Sequence, residues 1–580
     1  MVNNRSDKIN ELIHQRIKAL SPEKRALLKQ RRVDGMIDGH ASIALCLKEL
    51  GVTHVYGISG TPVDETLGAC AKVGIRSIGV RHQQAGVMMA LAQNYMTGRL
   101  TAVVICSAGP AITNAATGIL IARDNGWPLI VLGGRRPLSM QGKGCFQELD
   151  ALPIFASITK WSAVIENAEK IPQCLSTAFR ITCEGRPGPV YLDVPEETLT
   201  GKILASRCHC QIPAFESDSP IDTKAVTQAA EVLLSAKRPL LVIGKGVRWS
   251  EPYPELLQIV EAYSIPFITS PMGRGVLPDD HPYCVNAAST LALSRADTVL
   301  MVGARLNWTF RFGTELAPYG KLIQIDIDEQ EIGRNLAPCV GIVGDAKQVL
   351  RNLVRQMSRQ HSEHAKKESS GHWIKTLALA RNEKIREVDS RSHDDSVPMS
   401  PYRMMGEIRS FLPRDAICVL DGNVSMAVGQ LIIPSYSPAS RFTAGTNGCM
   451  GVGIPFGIGA KLSDPHRLVM VICGDFAFGL NAMELETAVR HKVPIIVVVV
   501  NNEGNTGALK QKANYPEHYE RVTMFSPNIR YERLAGALGC HAEYVERPHE
   551  LIPALKRAAA SGVASCISVK INPHTPYPNV

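Results

Sequence analysis

A carboxylate and a side-chain amide, Asp475 and Asn502, stand in two polar turns: Gly474-Asp475-Phe476 is followed by 24 residues and then by Asn501-Asn502. A carboxylate oxygen, an amide oxygen and a backbone carbonyl near Gly504 form an all-oxygen donor set, which suits a hard six-coordinate cation such as magnesium. Water and phosphate oxygens commonly complete the shell of such an ion, so the set points to a cation that grips a diphosphate. On these residues alone, an Asp turn followed by an unrelated Asn turn remains open.

The flanking segments must position the pair. Arg467 to Cys473 (RLVMVIC) and Val493 to Val500 (VPIIVVVV) are unbroken apolar runs rich in β-branched residues, as strands buried on both faces of a parallel sheet require. Between them, Asn481 to His491 has helical apolar spacing at Met483, Leu485, Ala488 and Val489. The unit reads strand, turn, helix, strand. Asp475 is thereby expected on a turn at the sheet edge, and both residues lie just beyond the carboxyl ends of parallel strands, where open α/β sheets bind ligands.

Two further segments carry chemistry. Gly445 to Pro455 (GTNGCMGVGIP) is glycine-rich and precedes a helix-like run, and Val80-Arg81-His82-Gln83-Gln84 follows a strand-like stretch and opens a helix. Taken singly, each is also compatible with close packing. Together with the Gly-Asp and Asn-Asn turns they resemble the thiamine-diphosphate-dependent decarboxylase and carboligase superfamily. That resemblance implies thiamine diphosphate and Mg2+ as cofactors. Asp475, Asn502 and Gly504 match its metal ligands. Gly448 matches a carbonyl that bonds the 4′-amino group, and Met450 the apolar wedge that bends the cofactor, an orientation effect. Asn423, Val424, Ser425, Phe476, Ala477, Asn505 and Thr506 fall at further cofactor-binding positions. Thr61, His82, Phe146, Gln147 and Asn505 match the substrate side. Phe476 stands where the superfamily pattern has glycine. Gln83 stands where it has the glutamate that bonds N1′ of the pyrimidine, and a neutral amide can hydrogen-bond that nitrogen without exchanging its proton. Either the position is naturally altered, as in a glyoxylate-coupling branch, or it has been substituted.

The architecture implied is α/β, with three doubly wound parallel-sheet domains in series: pyrimidine-binding (35 to 205), middle (215 to 360) and diphosphate-binding (395 to 575), after a basic helical extension (1 to 34). Boundaries are expected at Pro213 to Pro220 and in the charged stretch from Ser358 to Ser396. The chain has 580 residues, 45% hydrophobic and 20% charged, enough for three soluble domains. The first and third domains of one superfamily chain do not complete a site together, so a homodimer or homotetramer is implied. No apolar run reaches membrane-spanning length and the start MVNNRSDKIN lacks a signal core, which excludes a membrane partner and implies a cytoplasmic protein. The net charge of +9 is partly local, with nine Lys or Arg against three Asp or Glu in residues 1 to 32, and does not indicate nucleic acid. Leu20 to Arg31 resembles linker helices beside carrier domains of assembly lines, with a solvated amphipathic extension as the alternative. Fifteen scattered cysteines read as reduced thiols, and Cys208-His209-Cys210 lacks zinc-site spacing.

Within the superfamily, Val302 to Trp308 with Phe312-Gly313, Gln324 to Ile327, Gly344-Asp345, and Pro398-Met399 before Tyr402-Arg403 look like the oxalyl-CoA decarboxylase and 2-hydroxyacyl-CoA lyase branch. Phe146-Gln147-Glu148 is shared with acetolactate synthases, and Asn505-Thr506-Gly507 replaces the tyrosine of the lyases. The implied function is a lyase, decarboxylase or carboligase acting beside the carbonyl of an acyl thioester. The thioester would be of coenzyme A, with phosphates recognised near Arg305 or Arg403. One alternative is a 2-oxoacid decarboxylase or acyloin synthase, with carrier-bound substrates included. Another, motivated by Gln83, is a catalytically weak scaffold.

Overall fold

A computed structural model describes residues 35–211, 221–360, 368–505 and 520–578. The basic extension with its linker-like segment, the Pro213 to Pro220 boundary and Thr506 lie outside these residues.

Three parallel sheets follow one another along the chain. A small antiparallel pair, β1 (Met36–Asp38) with β8 (Lys202–Leu204), brackets the first. That sheet holds β2 (His54–Gly57), β3 (Arg76–Gly79), β4 (Ala102–Cys106), β5 (Leu129–Arg135), β6 (Trp161–Val164) and β7 (Pro189–Pro195), in the order β3-β2-β4-β5-β7-β6. The second holds β9 (Pro239–Ile243), β10 (Phe267–Thr269), β11 (Thr298–Val302), β12 (Lys321–Asp326) and β13 (Val340–Val343), in the order β10-β9-β11-β12-β13. The third holds β14 (Ile417–Asp421), β15 (Arg441–Phe442), β16 (Val469–Gly474), β17 (Ile496–Asn501), β18 (His541–Val545) and β19 (Ser565–Lys570), in the order β15-β14-β16-β17-β19-β18. The first and third orders are the same topology. Central strands such as β17 (IVVVVN) are buried throughout, as a sheet covered by helices on both faces demands.

Local details depart from the sequence expectation. Asp475 is not on an edge turn: it is the first residue of helix Asp475–Asn481 and 1% exposed. The helix expected over 481 to 491 is present but shorter, Glu484–Arg490, and a further helix, Asp475–Asn481, stands where a turn was expected. The charged stretch from 358 to 396 is largely helical, in Ala346–Gln360 and Glu368–Arg391. Trp373 and Leu377 of the latter helix are buried against the second sheet, with the Trp373 indole donating to Pro239 O at 3.0 Å. Those two residues carry the apolar signal that the surrounding charge obscures.

The first and third sheets share one apolar core. Its centre is the contact between helices Gln83–Thr97 and Gly453–Ser463. Their closeness requires glycine, since a Cβ on Gly459 would stand 2.2 Å from Met89 O. Tyr95, near the end of the first helix, stacks on Trp127 at 4.7 Å, and Trp127 meets Phe456, near the start of the second, at 5.7 Å. The helices therefore run antiparallel, and their amino termini point to opposite ends of the core. No helix among the described residues is long and apolar enough to cross a membrane.

Candidate functional site

The strand order of an open α/β sheet reverses at one place, and ligands bind at the carboxyl ends of the strands there. In the third sheet that place lies between β14 and β16. The turn after β14 is Gly422, at φ 88, and a Cβ on it would lie 3.4 Å from Gly474 N at the end of β16. Asp475 follows directly. Its carboxylate accepts Phe476 N at 2.8 Å and Gly504 N at 3.1 Å, which ties the end of β16 to the turn after β17. Burial pushes this carboxyl up to about 6, against the opposing pull of the backbone N–H groups of Phe476 and residues 502 to 504. Asn502 is 5% exposed in the same turn. Gly504 admits no side chain, because a Cβ would meet Thr523 O at 2.3 Å.

These residues fit a cation-bound diphosphate. Helix Asn423–Ile432 starts at the reversal point with no side-chain cap, and free N–H groups at a helix amino terminus attract phosphate. Ser425, in its first turn, is fully buried and its hydroxyl has no hydrogen-bond partner among the described residues. An orphan hydroxyl is costly unless a ligand completes it. Asn423 is exposed, Val424 and Ala477 are buried, and Phe476 is half-buried. Asn505 is exposed, with its N–H on Thr523 O at 2.7 Å.

The glycine-rich loop is pinned from both sides. Asp421 accepts Gly453 N at 2.7 Å and Gly451 N at 3.3 Å, and Asn481 donates to Gly451 O at 2.7 Å. Burial pushes the Asp421 carboxyl up to about 7. Just before these anchors, Gly448 at φ 71 has open space where a side chain would stand, and Met450 is half-buried against the shared core.

Gln83, His82, Thr61, Phe146 and Gln147 gather on the first sheet instead. Gln83 begins its helix, is 7% exposed, and its Oε1 accepts from Asn114 Nδ2 at 3.0 Å. His82 is exposed and caps that helix by accepting Gln84 N at 3.2 Å. Glu484 of the third domain accepts both Arg81 N and His82 N at 3.0 Å. Thr61 is exposed, and its carbonyl accepts Ala108 N at 3.1 Å. Gln147, at φ 57, lies on Gly109, whose added Cβ would be 2.8 Å from it, and Phe146 is 70% exposed.

Among the described residues, the glycine-rich loop and Gln83 contact the first domain near opposite ends of one helix. The Gly445 to Asn447 turn touches the first domain at Asn125 and Asp124, the carboxyl end of helix Ala116–Asn125. Gln83 meets Asn114, just before the other end of that helix, so the two contacts are about 15 Å apart at 1.5 Å per residue.

Four anchoring residues escaped the sequence reading: Asp421, Asn481, Asn114 and Glu484. Asp421 ends an apolar run beside a glycine, Gly422, and Asp475 likewise stands beside Gly474 at a strand end, so the same strand-end rule would have found it. The others act across long sequence separations and leave no local signal. Arg305 and Arg403 are not an open basic pocket. Arg305 donates to Asp124 O and Thr446 Oγ1, and Arg403 pairs with Asp395 and Glu407. The reversal point of the second sheet is closed by backbone packing, with a Cβ on Gly244 falling 2.0 Å from Gly303 O. No group of three or more His, Cys, Asp or Glu among the described residues has an arrangement that would hold a metal.

Three family models match the chain: the thiamine pyrophosphate enzyme N-terminal TPP binding domain over residues 37–154, the central domain over 226–353 and the C-terminal TPP binding domain over 421–569. Similar proteins include 2-hydroxyacyl-CoA lyase 1 of Homo sapiens, 34% identical over 564 residues and covering 93% of this chain and 96% of the relative. An acetolactate synthase large subunit of Mycobacterium tuberculosis is 32% identical, covering 92% and 96%. Oxalyl-CoA decarboxylase of Escherichia coli is 30% identical, covering 93% and 95%.

Proposed function

The chain belongs to the thiamine pyrophosphate enzyme family, and from that premise we propose that it cleaves or forms a carbon–carbon bond beside the carbonyl of an acyl thioester. It is a lyase-type enzyme dependent on thiamine diphosphate, the same compound as thiamine pyrophosphate. The observation that carries the thioester reading is similarity along nearly the whole chain to 2-hydroxyacyl-CoA lyases of animals and plants.

When bound, thiamine diphosphate supplies an electron sink for the carbon from which the bond is broken. Asp475, the Asn502 amide oxygen and the Gly504 carbonyl would hold magnesium. Ser425 and the N–H groups at Asn423 and Val424 would receive phosphate oxygens, beside Phe476, Ala477 and Thr506. Gly448 and Met450 would orient the pyrimidine, in a loop that Asp421 and Asn481 keep in place. Gln83 would donate to or accept from N1′. Thr61, His82, Phe146, Gln147 and Asn505 would line the substrate side. On this reading residues 35 to 205 bind the pyrimidine, 215 to 360 form the middle domain and 395 to 575 bind the diphosphate. The contacts of Gln83 and of the Gly445 to Asn447 turn near opposite ends of helix Ala116–Asn125 support a homodimer or homotetramer in which each site takes its Gln83 from a second copy. A reducing compartment such as the cytoplasm agrees with fifteen unpaired cysteines.

Turnover of oxalyl-CoA and a 2-hydroxyacyl-CoA, measured beside pyruvate and benzoylformate, tests the reading. Thioester turnover is the expected result. Turnover of the free 2-oxoacids alone favours the second reading, an acetolactate-type carboligase, which the similar synthase supports. No turnover of any of them, with cofactor bound, favours a scaffold kept at low activity by Gln83.

A further inference from the structure

Cys208-His209-Cys210 takes no part in the site above, and it lies where the chain leaves the first domain. Helix Gly39–Glu49 presents Ser42, Cys46 and Glu49 along one face, at spacings of four and three residues. The Cys-His-Cys turn is laid along that face. Glu49 holds it at one end, accepting Cys210 N at 2.7 Å and pairing with His209 Nδ1 at 2.7 Å. Ser42 holds the other, with its hydroxyl 3.2 Å from Cys208 Sγ and its carbonyl 3.4 Å from the same sulfur. Between these clamps, Cys46 Sγ stands 3.6 Å from Cys208 Sγ, and Cys210, two residues further along the same turn, packs against the apolar core that holds Cys46. Three thiols thus converge from positions 162 residues apart in sequence.

Their environments differ in a useful way. Cys46 and Cys208 are buried, whereas Cys210 is half-buried and reachable from solvent. The contact with Cys208, together with burial, holds the Cys46 thiol above the ordinary range, and the same contact draws the Cys208 thiol below it. A half-buried thiol two residues from a buried thiol that touches a third is an arrangement in which oxidation of the outer sulfur can pass to an inner one.

We propose that Cys46, Cys208 and Cys210 form a peroxide-responsive thiol site, in which Cys210 is oxidised first and Cys46 resolves it. The Cys210 thiolate attacks the peroxide, forming an S–O bond, breaking the O–O bond and releasing hydroxide or alkoxide. Cys46 then loses its proton and its sulfur attacks the Cys210 sulfur, forming the S–S bond and expelling hydroxide, which takes up that proton as water. Two thiols are oxidised by two electrons and one peroxide is reduced to an alcohol or water. Cys208, beside Cys46, can then exchange into the disulfide. Either product ties the exit segment of the first domain to helix Gly39–Glu49.

The test uses the full-length protein treated with hydrogen peroxide, blocked with N-ethylmaleimide and digested without reduction for mass spectrometry. The expected product is a cross-linked peptide joining Cys46 to the 208–210 segment, lighter than its two parts by two hydrogens. Cys210→Ser should slow its formation by about tenfold or more, since the thiolate is the reactive form. Cys46→Ser should instead leave a sulfenic acid at Cys210 that dimedone traps. Should Cys46→Ser fail to fold, the half-buried Cys210→Ser variant still decides the matter. Oxidation of Cys145 or Cys339 while all three clustered thiols remain free overturns the proposal, as does a cross-link that forms at an unchanged rate in Cys210→Ser.

Discussion

Gln83→Glu isolates the one position where the chain departs from the pattern on which activation of the cofactor rests. The substitution is nearly isosteric and the site should accept it. Asn114 Nδ2, 3.0 Å from Gln83 Oε1, can donate equally to a carboxylate. The residue is the first of its helix, where the helix dipole stabilises a negative charge by about 0.3–1 kcal/mol. At 7% exposure the new carboxyl is also largely desolvated, which favours its protonated form and hence a proton shared with a ring nitrogen. A positioned acid or base contributes about 10²- to 10⁴-fold to rate, equivalent to about 2.7–5.4 kcal/mol of barrier. Gln83→Glu should therefore speed exchange of the thiazolium C2 proton with deuterated solvent by a factor in that range, read by proton NMR after acid quench, while cofactor affinity changes far less. This assay needs no knowledge of the substrate. Fast exchange with Gln83 and no gain in the variant would refute the reasoning and show that activation follows another route.

Calorimetric titration should show thiamine diphosphate binding only with a divalent cation, and equal affinity in chelator would remove the metal role of Asp475 and Asn502. Asp475→Ala should abolish cofactor binding. Because two backbone N–H groups lose their acceptor, it should also cost about 1–3 kcal/mol of local stability, and retained cofactor would refute the site. Metal-supported binding needs the ionised Asp475 carboxylate, so affinity should fall as pH drops through about 6. The sign for the apoprotein is opposite: a raised folded-state value means the group's contribution is present below about 4 and lost as pH rises through about 6. Thermal melts of the apoprotein across that window, compared with Asp475→Asn, check it. Gly459→Ala forces a Cβ to within 2.2 Å of Met89 O and should destabilise the contact between first and third domains by at least about 1–3 kcal/mol, seen as a lowered melting temperature. An unchanged melting temperature would mean that the helices can part without cost.

What the sequence made legible was local. The runs that became β16 and β17 announced themselves by β-branched residues, and Asp475, at the end of the first, fell at the reversal point of a sheet whose order could not yet be known. The Phe146-Gln147 segment could be matched but not placed, since only the fold lays Gln147 on Gly109. Asp421 was legible as a polar strand end beside a glycine, but its partners, Gly451 and Gly453, 30 and 32 residues away, were not. Glu484 escaped because its partners at Arg81 and His82 lie in another domain, more than 400 residues away. Helix Glu368–Arg391 was hidden by its charge: among its described side chains only Trp373, Leu377 and Val388 are buried, too few to register against so many lysines, arginines and glutamates.

The antiparallel packing of Gln83–Thr97 on Gly453–Ser463 has a genetic consequence. If every site draws one half from each of two copies, then a chain damaged in its first domain and a chain damaged in its third are each inactive alone but can rescue one another. A mixed dimer of the two would collect both lesions in one site and leave the other site whole. With random pairing half of the dimers are mixed, and about a quarter of all sites would work. Two alleles that each abolish activity could therefore coexist in one cell without abolishing it.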